Sequence, residues 1–84
     1  MREGDKNILL LRVLNSMVKE SQTYLELKKE KVSSIRVFKD EFEQKAREMN
    51  IFALDGFFAS AEFKEAEYTL DEAGECIWRK VGDA

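Results

Sequence analysis

The apolar residues Leu11, Leu14, Val18, Leu25 and Val32 recur at spacings of three, four or seven. At 3.6 residues per turn that pattern draws one buried stripe along an amphipathic helix. The stripe predicts a helix from about Asp5 to about Glu30, roughly 26 residues and about 39 Å long. Ser21 lies on the same stripe and marks a weak packing point or a helix end. The chain has 84 residues, so it forms a single domain, 1–84, with a small core. So long a helix is expected to be ordered over a shorter span. The first few residues and residues 82–84 are expected to fray.

The rest of the chain must supply something for that stripe to pack on. Val32 to Phe38 is rich in β-branched residues and predicts a short strand. Asp40 can cap a second helix, and Glu43 stands at capping-box spacing from it. Phe42, Ala46 and Met49 form the buried face of that helix, and Asn50 is a suitable left-handed terminator. Leu54, Phe57, Phe58, Ala61 and Phe63 predict a third, short apolar helix, capped by Asp55 or the residues before it. Glu67 to Leu70 and Glu75 to Lys80 predict two strands joined at Asp71-Glu72-Ala73-Gly74. A four-residue loop there sets Tyr68 opposite Ile77; a bulge sets it opposite Trp78. The order is helix, short strand, helix, helix, two-stranded wing. That is the α+β order of a winged helix-turn-helix. The expected core is Leu11, Leu14, Val18, Phe42, Ala46, Met49, Leu54, Phe57, Phe63 and Tyr68.

Composition narrows the chemistry. Hydrophobic residues make up 44% and charged residues 37%, a globular mix too apolar for full disorder. The longest aliphatic run, Ile8 to Leu11, is too short for a membrane span or a signal peptide. Histidine is absent and Cys76 is the only cysteine. No Cys/His zinc site, internal disulfide, Ser-His-Asp triad or Cys-His centre can form within one chain. Carboxylates are plentiful enough for a glycosidase-like pair, but the chain is too short to wall a cleft around one. No enzyme activity, metal or cofactor is expected.

Charge is unevenly spread. Lys28, Lys29, Lys31, Arg36 and Lys39 stand against Glu30 alone between residues 28 and 39. This block is where a nucleic-acid backbone would be welcomed, or it is a solvated turn. Between residues 53 and 75, Asp55, Glu62, Glu65, Glu67, Asp71, Glu72 and Glu75 stand against Lys64 alone. The third helix holds no Arg, Asn or Gln to read base edges. Its carboxylates and those of the wing would repel phosphate. Asp55, Phe58, Glu62, Glu65, Asp71 and Glu72 are therefore the expected protein-docking surface. Three phenylalanines in one short helix cannot easily all point inward, so Phe57 or Phe58 is expected to be partly exposed. Ser60 could cap, touch a partner or pack as a small residue, and packing is the expectation. Asp71 is expected to bond turn N–H groups. Cys76 reads as a buried small hydrophobe, and Trp78 as core or an edge anchor.

The run Lys45-Ala46-Arg47, Asn50-Ile51, Leu54, Phe57-Phe58, Ser60, Phe63 and Asp71 carries a family likeness. It resembles the C-terminal region of subunit two of the eukaryotic minichromosome-maintenance (MCM) replicative helicase. Leu14, Val18, Glu20, Thr23 and Tyr24 resemble the helix that precedes that region. The likeness runs from about residue 8 to residue 78 and is strongest from Val37 to Ile77. It implies a C-terminal piece of a nuclear DNA-replication subunit, tethered to a hexameric, cell-cycle-controlled motor. That motor's ATPase core has no counterpart here, since no Gly-x-x-x-x-Gly-Lys stretch occurs. The implied partners are other helicase subunits or loading factors, with no membrane. The isolated chain is expected to be monomeric. Two other readings stand beside this one. One is weak, sequence-independent DNA binding through residues 28–39. The other is a stand-alone winged-helix transcriptional regulator.

Overall fold

In the computed structural model, which describes residues 3–81, the first element is the long helix α1, Glu3–Leu27. At 25 residues it keeps almost the full predicted length, and no shorter ordered span is seen. Leu10, Leu14 and Val18 are buried at spacings of four. The expected core position Leu11 is only half-buried. The run Ile8 to Leu11 is apolar at every position, so it leaves the helical phase open. Leu14 and Val18 set that phase, and Leu10 lies one turn before Leu14. Val32, also placed on the stripe, is 40% exposed because it lies beyond the end of the helix. That end is a Schellman closure. The Glu30 N–H donates to the Leu25 carbonyl at 3.0 Å and the Lys29 N–H to the Glu26 carbonyl at 3.0 Å. Lys29 takes the left-handed φ of 60°.

Strand β1, Ser34–Phe38, alternates exposed and buried residues, with Ile35 and Val37 inward. It runs directly into α2, Lys39–Glu48. Phe38 holds the cap position and no side chain caps the helix. The expected Asp40–Glu43 capping box is therefore not formed. The Lys39 N–H already donates to the Glu75 carbonyl at 2.9 Å, and the helix starts two residues earlier than a capping Asp40 requires. Asp40 and Glu41 instead lie in the first turn, where carboxylates favour the helix dipole. Phe42 and Ala46 are buried as expected, but Met49 is 42% exposed. The helix ends at Glu48 with Met49 as its C-cap, and Asn50 follows in the left-handed conformation, φ 61°. The Ile51 N–H returns to the Ala46 carbonyl at 3.0 Å, and Ile51 takes the core place expected for Met49.

The predicted third helix is two pieces, α3 (Asp55–Phe58) and α4 (Ala61–Glu65). Ser60 makes the break. Its Oγ accepts from the Phe63 N–H at 3.2 Å and donates to the Phe57 carbonyl at 2.6 Å. Of the three roles open to Ser60, the structure selects capping over simple packing. Asp55 is the first helical residue rather than the cap, and Leu54 before it offers no side-chain bond. Ala61 is exposed. The break turns Phe57 and Phe63 inward together, with ring centroids 5.3 Å apart. Phe42 packs tilted against Phe57 at 5.6 Å, and Tyr68 stacks on Phe63 at 5.7 Å. Phe57 is fully buried and Phe58 half-buried.

Strands β2 (Tyr68–Leu70) and β3 (Cys76–Lys80) complete a three-stranded antiparallel sheet of order β1-β3-β2. Tyr68 faces Arg79, Thr69 faces Trp78 and Leu70 faces Ile77. Both expected registers for Tyr68 are corrected. Asp71 sets the observed one, because it pairs with Cys76 across the loop end. The Asp71 N–H donates to the Cys76 carbonyl at 3.0 Å. Its Oδ1 accepts from the N–H groups of Glu75 at 2.8 Å and Cys76 at 3.2 Å. Gly74, with φ of 69°, supplies the left-handed step that the loop needs. The fraying expected for residues 82–84 and for Met1 and Arg2 lies outside the described residues.

Candidate functional site

The expected docking residues come from three segments. Asp55 opens α3, Glu62 and Glu65 lie on α4, and Asp71 and Glu72 lie in the wing loop. Asp55, Glu65 and Glu72 are exposed; Phe58, Glu62 and Asp71 are half-buried. Among the described residues the one ion pair is Lys39–Glu43, at 3.8 Å. The carboxylates of α3, α4 and the wing therefore have no cationic partner among those residues. Lys39 links two of these segments. Its backbone N–H holds Glu75 of the wing, and its Nζ lies 5.4 Å from the centre of the Phe58 ring. Among the described residues, no side-chain hydrogen bond or ion pair ties Asp55 or Glu65 to the wing loop.

Asp71 is occupied by the loop itself. The Glu75 N–H, with smaller help from Cys76 and Gly74, holds its carboxyl below the ordinary value of 3.8. A carboxylate depressed in the folded state adds stability above its unfolded value and loses it as pH falls through the folded one. The melting temperature should therefore drop on acidification below about pH 4. Asp71→Asn should start lower at neutral pH and drop less over that range, read by circular dichroism. Equal acid losses in the two proteins would exclude this role. Beside it, burial and then the Asp71 charge push the Cys76 thiol up from 9.0, so it stays a neutral, buried side chain at neutral pH.

The basic block is spread along β1, with Lys39 at the end opposite the other three lysines. Lys28, Lys29 and Lys31 are exposed after the C-terminal end of α1. Lys28 lies 4.5 Å over the Tyr24 ring. Arg36 is on the outer face of β1, between Phe38 at 4.8 Å and Trp78 at 5.9 Å. Lys39 lies past the other end of β1, against Glu43 and Phe58. β1 spans about 13 Å between the two ends of the block.

Residues 4–77 match the family described as DNA replication licensing factor MCM2-like, winged-helix domain. The chain belongs to that family. No curated protein matches it significantly. The match confirms the winged-helix architecture and the resemblance carried by residues 8–78.

In this MCM2-like winged-helix domain, two features lie outside the sequence expectations. One is a polar tie between α1 and the wing. The Tyr68 hydroxyl donates to Asn15 Oδ1 at 2.6 Å, and the Arg79 guanidinium reaches the same oxygen at 3.2 Å. The partners are too far apart in sequence for any local pattern to reveal them. The other is the set of aromatic rings, Tyr24, Phe38 and Trp78, that accompany the cations. Alternation along β1 signals the exposure of Phe38, whereas Tyr24 on α1 and Trp78 on β3 join it only through the fold. No cluster of three or more metal-ligating side chains is assembled among the described residues.

Proposed function

We propose that this MCM2-like winged-helix domain is a non-catalytic accessory module that works in the nucleus by docking on protein during assembly or loading of the replicative hexamer. The observation that carries this reading is the charge of α3, α4 and the wing. In the helix-turn-helix mode the second helix enters the major groove. Here that position is occupied by two short turns carrying Asp55, Glu62 and Glu65 against Lys64. Phosphate is repelled from such a surface, whereas a basic face on another subunit or loading factor is attracted to it. Phe58, half-buried among the rings, offers apolar area beside the charges.

The test is binding of the labelled domain to the reconstituted remaining subunits of the licensing hexamer, followed by biolayer interferometry. A variant carrying Asp55→Lys, Glu62→Lys and Glu65→Lys should weaken binding at least about ten-fold, since close unlike charges are replaced by like ones. Circular dichroism should be unchanged, because none of the three is buried in the core. Unchanged affinity in a folded variant would remove this surface from the interface.

A further inference from the structure

We propose that the outer face of the sheet is a stacking platform for single-stranded DNA, separate from the acidic docking end. The side chains on that face follow from the register. Ser34, Arg36 and Phe38 of β1 stand opposite Lys80, Trp78 and Cys76 of β3, and Thr69 of β2 flanks Trp78. None of these seven is acidic, in a chain whose net charge is −3; the carboxylate at the loop end of the face is Asp71, which pairs with Cys76 and is held by the turn N–H groups. Arg36 and Lys80 are exposed cations. Phe38 is 47% exposed, and Trp78 is half-buried beside it. Phe38 and Trp78 are diagonal neighbours, about 7–8 Å apart in the sheet. Two bases of an extended strand can bridge that spacing.

The platform continues onto α1. An open groove of about 690 Å³ joins Tyr24 and Leu25 to Ser34, Arg36 and Trp78. Tyr24 is 56% exposed, and its own cation is Lys28. The track thus holds three accessible rings, each with an ammonium or guanidinium within 6 Å of its centre. Glu20 is the one carboxylate lining the groove. Alternating rings and cations match the alternating bases and phosphates of a single strand. An acidic peptide needs the cations but not the open rings. Paired bases in a duplex cannot reach the rings, and no helix projects from this face to enter a groove. Membership of a DNA replication family selects DNA over RNA as the occupant.

Trp78 is the only tryptophan, so its fluorescence reports stacking directly. The whole chain is titrated at low salt with an oligothymidylate of about 15 nucleotides. Quenching of Trp78 is expected, with affinity falling as salt rises. Arg36→Ala and Phe38→Ala, both at exposed positions, should each weaken binding about five-fold or more while the circular dichroism spectrum is retained. The Asp55→Lys, Glu62→Lys and Glu65→Lys variant should quench as the wild type does, which separates this face from the docking end. No quenching at low salt would overturn the proposal. Equal quenching by polyglutamate would replace the strand with an acidic peptide. An equal response to oligouridylate would overturn the assignment to DNA, and tighter binding of duplex would overturn single-strand stacking.

Discussion

Phe57→Ala is expected to remove a large share of the domain's stability and to lower its urea midpoint sharply. Phe57 is fully buried, and its ring lies 5.6 Å from Phe42, 5.6 Å from Phe58 and 5.3 Å from Phe63. Removing a buried phenylalanine ring costs about 3–5 kcal/mol in transfer and cavity terms. At the general per-residue rate, a domain of this size holds about 4–13 kcal/mol in total. The site has little room to collapse, because the Ser60 bonds pin the α3–α4 junction on either side of it. Leu54→Ala and Phe63→Ala remove neighbours in the same cluster and should cost about 2–5 kcal/mol each. Urea denaturation followed by circular dichroism decides the matter. A Phe57→Ala midpoint close to that of the wild type would show that the cluster is not the core.

Tyr68→Ala should be nearly as damaging, and Tyr68→Phe much milder. Tyr68 is 2% exposed, stacks on Phe63 and lies under the Arg79 guanidinium at 5.1 Å. Its ring therefore joins the wing to the aromatic cluster, and losing it should cost about 3–5 kcal/mol. Its hydroxyl makes the bond to Asn15 on α1, worth about 0.5–1.5 kcal/mol net. Asn15 is exposed and can turn to water when that bond is lost. Burial raises the Tyr68 pKa above 10.0, opposed in part by Arg79. An acid raised in the folded state contributes fully below its unfolded value and is lost as pH climbs through the folded one. The wild type should therefore lose stability above about pH 10 by more than Tyr68→Phe does. Thermal melts of the three proteins from neutral to alkaline pH measure all of this. Equal losses for the Phe and Ala variants would place the energy in the hydroxyl instead.

Elements and their order were legible because each apolar spacing had a single period over several residues. Legibility failed where two signals overlapped. Four consecutive apolar residues from Ile8 to Leu11 left the helix phase to be set by Leu14 and Val18. Asp40 is a good cap by type, but the continuation of the β1–β3 ladder through Lys39 and Glu75 satisfies the helix start first. Ser60 splits the third helix through bonds to residues three before and three after it, a pattern that also fits an ordinary helix interior. The wing register depended on which backbone groups the Asp71 carboxylate reaches, and residue types do not specify that. Asn7 is buried on α1, and its Oδ1 has no hydrogen-bond partner among the described residues; nothing in the structure explains it.

At the candidate site, the acidic end was legible as bulk charge, because its carboxylates follow one another along the chain with Lys64 alone among them. The basic block was not, because two structural junctions fall inside it. Lys28 and Lys39 are close in sequence but lie past opposite ends of β1. Arg36 pairs with rings that it meets only through cross-strand register.

Three helices end on residues held in the region that glycine prefers: Lys29, Asn50 and Glu67, with φ of 60°, 61° and 65°. A side chain there costs roughly 1–2 kcal/mol, less for asparagine. The backbone thus permits a more stable protein than the one encoded, and the difference is concentrated at two exposed positions, Lys29 and Glu67. Lineages of this domain have evolutionary headroom as a result. A destabilising change of about that size in the core can be offset by one codon change at a helix terminus.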